Sequence, residues 1–264
     1  LRYIKCGDTE VIRMIYGAVR DKHWETIVPA ISGEVWTEDE AGISITYNAA
    51  YISDDIQYQA VFQIRISPAN SILFSMKGTA PGSFEKNRTG LCVHHPLAAC
   101  MGRQVKITRA GGDAYNGIFP ELISPHQPFK DVQAMQWQPA PGLQATLSFA
   151  GDVFETEDHR NWSDSAYKTY STPLHLPFPV QVLPGETMEQ QVAFHLSGNT
   201  KQPTAPATIT SHPVLPLPLL GAYFSGQPTL TAAQEAVLGK PVFHHAALEL
   251  HLYSAYGKAE LDQA

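Results

Sequence analysis

The chain has 264 residues, a formal charge of −7, a pI near 5.9 and 44% hydrophobic residues. That share of apolar residues is too high for a disordered chain, and the acidic balance argues against nucleic acid or an anionic membrane as the main partner, because both reward a basic surface. No apolar run approaches the roughly 18 residues that a membrane-spanning helix needs.

The chain opens on "LRYIKCGDTEVIRMIYG", which reads as a strand pair entered partway and has no initiator Met, so further N-terminal residues are expected. "GISITYNAAYI" follows as a strand. The clearest segment runs from Ile56 to Ile66, with Ile56, Tyr58, Ala60, Phe62, Ile64 and Ile66 on one face and Gln57, Gln59, Gln63 and Arg65 on the other. Strict period two means a strand with one face in the core and one wet; only Val61 breaks it. Gln and Arg on the wet face suit hydrogen bonding to hydroxyls, but an ordinary solvated sheet face reads the same way. "SPAN" is a turn into the strand "SILFSMKGTA". "GLQATLSFAGDVFETE" and "FPVQVLPGETMEQQVAFHLS" add more strands, so residues 1–198 are expected to form a large antiparallel β-sandwich.

Composition then changes. Prolines at 203, 206, 213, 216, 218 and 228 mark a linker over 199–228 that packs through Val214, Leu215, Leu217, Leu219 and Leu220. In "TLTAAQEAVLGKP", Thr231 and Gln234 form a capping box, Gly239 ends the helix and Pro241 follows. "AALELHLYSA" reads as a strand and "GKAELDQA" as another helix. Helix, strand, helix over 229–264 is the start of an α/β domain, and the chain is expected to be the front part of a longer protein.

Chemistry concentrates in "FETEDHRNWSDSAYKTY", residues 154–170, which holds four carboxylates, a His, an Arg, a Lys and four aromatics in a chain that is only 16% charged. As a strand it sets Phe154, Thr156 and Asp158 on one side and Glu155 and Glu157 on the other. Carboxylates this close repel and raise at least one pKa unless Arg160 or Lys168 offsets them, which suits a general acid or base. A salt-bridged structural turn fits the pattern equally well. Trp162 fits a sugar platform or a core residue. In "EKNRTGLCVHHPLAAC", Arg88 precedes His94 and His95; adjacent histidines on a strand face opposite ways, so the pair does not make a metal site. "FPELISPHQPFKD" is a Pro-rich loop presenting Glu121, His126 and Lys130. The candidate catalytic groups are thus Glu155, Asp158, His126 and His95, and the candidate binding groups are Arg88, Arg160, Trp162, Asp164 and Lys168. No metal or other cofactor is expected, and no GxSxG, HExxH, CxxC or phosphate-binding glycine loop occurs. Three cysteines (Cys6, Cys92, Cys100) at no metal spacing fit a reducing compartment, which leaves the sequons at Asn87 and Asn161 without meaning.

"FETEDHRNWSDSAYKTYSTPL", "GLCVHHPLAAC", "FPELISPHQPFKD" and "YGAVRDKHWETIVP" together resemble the N-terminal region of the D-apionate lactonase family, over essentially the whole chain. The resemblance implies a cytoplasmic bacterial enzyme of sugar-acid catabolism in which a β-sandwich precedes a TIM-barrel-like domain, and hydrolysis of a sugar-acid lactone, D-apionolactone, to D-apionate. The partners it implies are that lactone and the missing C-terminal domain. The pattern around Arg88 and His95 is also similar, at the level of fold, to the sugar-binding supersandwich of mutarotase-like proteins. The alternative is a non-catalytic carbohydrate-binding or structural sandwich attached to a glycoside-hydrolase-like barrel.

Overall fold

The computed structural model describes residues 1–198 and the strands Leu220–Phe224 and Phe243–Leu248. The first 198 residues are mainly antiparallel β: β1 (Arg2–Cys6), β2 (Thr9–Asp21), β3 (Ala30–Asp39), β4 (Gly42–Ile52), β5 (Gln57–Ser67), β6 (Ser71–Thr79), β7 (Phe84–Pro96), β8 (Gln104–Arg109), β9 (Ala114–Ile118), β10 (Phe129–Trp137), β11 (Leu143–Ala150), β12 (Phe154–Asp158), β13 (Ala166–Tyr170), β14 (Val180–Val182) and β15 (Thr187–Gly198). One helical turn, α1 (Leu97–Cys100), follows β7, and a 3₁₀ turn over His159–Trp162 follows β12.

The strand order is β1-β2-β7-β13-β12-β10-β11-β15-β6-β5-β4-β3, with β14 added to β7, β8 to β10, and β9 to β8. A twisted sheet of this width must curl, and the two ends of the order meet. Gly17 on β2 lies so close to Phe62 on β5 that a Cβ there would sit 2.5 Å from the ring, and the Tyr51 hydroxyl of β4 donates to the Gly17 carbonyl at 3.3 Å. The core between the layers holds Ile15, Tyr58, Phe62, Phe74 and Trp137, all essentially inaccessible. This is the antiparallel sandwich that the strand periodicity predicts.

Local pattern and structure agree closely at β5, whose Tyr58, Ala60, Phe62 and Ile64 are buried while Gln59 and Val61 face solvent. The "SPAN" turn is a hairpin with Asn70 at φ 55°, a left-handed conformation that Asn tolerates through its short polar side chain. All three cysteines are free thiols. Among the described residues no helix is long and apolar enough to cross a membrane.

Residues 1–204 and 205–264 form two separate compact units. In the second, β16 (Leu220–Phe224) pairs in parallel with β17 (Phe243–Leu248). β16 falls within the segment read as linker, and β17 begins three residues ahead of the strand expected from Ala246. The two helices expected at 229–241 and 257–264 lie outside the described residues.

Candidate active-site cleft

β2, β7, β13 and β12 lie side by side, and their register decides what faces what. Tyr16 pairs with Cys92, Cys92 with Tyr170 and Tyr170 with Glu155; one step along, Met14 pairs with His94, His94 with Lys168 and Lys168 with Glu157. Directly paired residues share a face, so these two rows lie on one side of the sheet. The opposite side carries Ile15, Val93 and His95 into the core. A cleft of about 620 Å³ opens on the polar side, floored by Ala18, Gly90 and Cys92 and walled by Trp24, Trp162 and Tyr170, with Arg20, Arg88, Lys168, Glu157 and His159 around it. Gly90 is required at the floor, because a Cβ there would come within 2.0 Å of Ser171 Oγ.

The charges in the cleft are paired but not exhausted. Lys168 Nζ donates to Glu157 Oε1 at 3.1 Å and lies 5.3 Å above the Tyr170 ring. Arg88 donates to the carbonyls of Asn87 (2.6 Å) and Pro173 (2.7 Å) and stacks on Phe178 and Trp24. Its Nε is buried without a protein partner, and burial pulls its pKa below the usual value against the opposing pull of Tyr170, Glu155 and Asp152.

The 3₁₀ turn supplies the far wall. The Asp158 carboxylate accepts from the Arg160 backbone N–H at its start, and Ser163 ends it in a left-handed conformation at φ 62°. That reversal brings Asp164 back to His159, whose Nδ1 lies 2.9 Å from Asp164 Oδ2. The same carboxylate oxygen is 3.4 Å from His94 Nδ1. Burial opposes charge on Asp164, but its bond to His159 and the nearby His94 outweigh that and hold its pKa below the usual carboxylate range. Burial, reinforced by His159 and Lys168, depresses His94 to about 4, so it is neutral at pH 7.

The sequence candidates divide. Arg88, Trp162 and Lys168 line the cleft, and Asp164 stands behind His159 at its wall. Glu155 is sealed beneath it, its Oε1 accepting from the Tyr170 hydroxyl and the Leu174 N–H, each at 2.6 Å. Asp158 and Arg160 belong to another network on the other side of the strand. Arg160 donates to Asp158 at 2.7 and 2.8 Å and to the carbonyls of Pro120, Glu121 and Leu122 at 2.8–3.2 Å, while the Ser124 N–H donates to Asp158 at 2.9 Å. Burial works against the Asp158 charge, and these bonds overcome it, keeping its pKa low. The pair therefore staples the 120–124 loop to the 3₁₀ turn. His126 is exposed on that loop, away from the cleft; its carbonyl accepts from Ser124 Oγ. His95 is wholly inside the core, 2.8 Å from Thr169 Oγ1, and burial lowers it to about 3. His95 and Asp158 lie elsewhere because the strands alternate at His94/His95 and Glu157/Asp158, Arg160 because it pairs with Asp158, and His126 because it is exposed on the loop.

Sequence reasoning did not single out Tyr16, Arg20, Trp24, Glu157 or His159 as site residues. The signal for Glu157 was present, since it shares a face with Glu155. The β2 residues were legible only through the register with β7, which no local pattern encodes.

The fold and cleft define an antiparallel β-sandwich with a concave surface set between aromatic walls and charged groups. The family model described as the D-apionate lactonase N-terminal domain matches residues 1–199, and the chain belongs to that family. The chain is 33% identical over 215 residues to the D-apionate lactonase of Brucella anthropi, a match that covers 81% of this chain and 35% of that protein. It thus spans about a third of the length of this curated relative. Among solved structures it is similar to a galactose mutarotase-like protein from Lactobacillus casei (9% identity, 72% of this chain and 90% of that one, TM-score 0.44). It is also similar to galactose 1-epimerase from Lactobacillus acidophilus (8% identity, 66% and 67%, TM-score 0.40).

Proposed function

We propose that this chain is the N-terminal part of a sugar-acid lactone hydrolase acting on D-apionolactone or a close relative, and that its cleft grips the lactone. The single observation that carries this reading is the Lys168–Glu157 pair in a cleft walled by Trp24, Trp162 and Tyr170. Family membership supports the substrate class.

In the reaction, water adds to the ring carbonyl carbon while Glu157 takes its proton. The Lys168 ammonium offsets the negative charge that develops on the carbonyl oxygen. The ring C–O bond then breaks, and Glu157 returns the proton to the departing ring oxygen, leaving a hydroxyl and a carboxylic acid that ionises. Arg88 and Arg20 hold the resulting carboxylate, and Trp162 and Trp24 pack on the carbon skeleton. Asp158 and Arg160 act by holding the 3₁₀ turn in place, and Glu155 by fixing Tyr170. The remainder of the protein is read as a TIM-barrel-like domain that starts within residues 229–264, and the compartment as the cytoplasm.

Proton release from D-apionolactone, followed with a pH indicator, tests the reading on this chain and on a form extended to the length of its relatives. Release by the 264-residue chain that Glu157→Gln abolishes supports catalysis in the sandwich. Release only by the extended form, weakened by Trp162→Ala, assigns the chemistry beyond the sandwich and leaves the cleft a gripping role. No release from either form overturns the lactonase reading.

A further inference from the structure

We propose that His94, His159 and Asp164 form a binding site for a single divalent transition-metal ion of the zinc type at the edge of the cleft. Donor atoms of the three side chains all lie within 4.8 Å of one another. Two of the separations are tighter: Asp164 Oδ2 is 2.9 Å from His159 Nδ1 and 3.4 Å from His94 Nδ1. Ligands placed tetrahedrally about one zinc ion at about 2.0–2.1 Å stand roughly 3.3 Å apart, so the spacing already matches a shared ion.

Three different parts of the fold bring the donors together. His94 comes from near the C-terminal end of β7, His159 from the start of the 3₁₀ turn, and Asp164 from just beyond its left-handed end at Ser163. Only His159 and Asp164, five positions apart, are near each other in the chain; His94 lies 65 positions before His159, and the adjacent His94–His95 pair is split by the strand.

The surroundings suit metal ligation as well. A metal-bound imidazole is normally oriented through its second nitrogen by a hydroxyl, carboxylate or carbonyl. His94 Nε2 lies 3.4 Å from the Tyr16 hydroxyl, and His159 Nε2 lies 3.9 Å from Glu157 Oε1, which Lys168 holds in turn. His94 thus faces Asp164 with one nitrogen and the Tyr16 hydroxyl with the other, while His159 faces Asp164 with Nδ1 and has Glu157 nearby, beyond hydrogen-bond reach of its Nε2. Two His and one Asp leave one tetrahedral position free, the composition of zinc sites that hold a water or a substrate oxygen. His159 is part of the cleft wall, so an ion bound here can meet a sugar oxygen.

The site can be scored without any lactone, so its fate is separate from that of the lactonase reading. The 264-residue chain is stripped with a chelator, dialysed and titrated with Zn²⁺ by calorimetry, with thermal unfolding as a second readout. The expected result is one equivalent bound per chain and a melting temperature that rises with free Zn²⁺. Asp164→Asn and His159→Ala, checked for an unchanged far-ultraviolet spectrum, lose that equivalent. Tyr16→Phe weakens it about tenfold, and His126→Ala, an exposed imidazole outside the set, leaves it intact. Absence of stoichiometric binding overturns the proposal, and so does binding that Asp164→Asn and His159→Ala leave unchanged, since surface imidazoles would then account for it.

Discussion

Glu157 and Asp158 are one peptide apart on β12, yet their carboxylates enter different networks. Asp158 is buried on the core side, where Arg160 and the Ser124 N–H occupy its oxygens and Arg160 spends its remaining donors on three loop carbonyls. Glu157 faces the cleft with Lys168 and His159 beside it and keeps room for another partner. The charge chemistry is the same on both sides. Strand alternation and the number of satisfied partners make one pair framework and turn the other towards the cleft.

The comparison breaks most directly at Asp158. Removing one member of a buried ion pair typically costs about 3–5 kcal/mol, so Asp158→Asn is expected to lower the urea midpoint strongly, with Arg160→Met doing the same. Glu157→Gln leaves the Lys168 ammonium beside the open cleft, where water can reach it, and is expected to cost less stability than Asp158→Asn. Equal losses of stability in the two variants would erase the distinction.

Activity should run the other way. Loss of a general base costs about 10²–10⁴-fold, so Glu157→Gln in the extended protein should lose at least about 10²-fold in kcat with its fold intact. Trp162, 72% exposed at the rim, should contribute less. Trp162→Ala is expected to raise KM or weaken lactone binding by about 3- to 10-fold, the scale of a single aromatic contact, without shifting the melting temperature.

The smallest expected effect concerns the framework at high pH. Burial, helped by Glu34, raises Tyr47 to about 12. The folded chain therefore keeps a proton that the unfolded chain releases above pH 10, and that share of stability, complete below pH 10, is lost as pH rises from 10 towards 12. Urea midpoints between pH 9 and 11 should fall less steeply in Tyr47→Phe than in the parent chain. An identical slope would show that Tyr47 titrates as freely folded as unfolded.

Much of the framework was legible in the sequence because it rests on local sterics. The alternation from Ile56 to Ile66 names the buried face of β5 correctly, and the same rule sends Glu155 and Glu157 away from Phe154, Thr156 and Asp158. The stretch at 154–170 was also recognisable as unusual. What it could not disclose was which of its charges had partners elsewhere: Arg160 finds its carbonyls in the loop at 120–122, and Asp164 finds His94 on β7. Arg20 and Trp24, far upstream, join the cleft only because β2 is registered against β7.

By itself the sequence determined that this protein is an antiparallel β-sandwich and which side chains alternate along each strand, because a period of two follows from the backbone of a single strand. Only the tertiary structure decided which face became the cleft, which acid and which histidine were buried in the framework, and that His94, His159 and Asp164 stand together. Those outcomes depend on register and curl, which are set by packing summed over strands far apart in the chain.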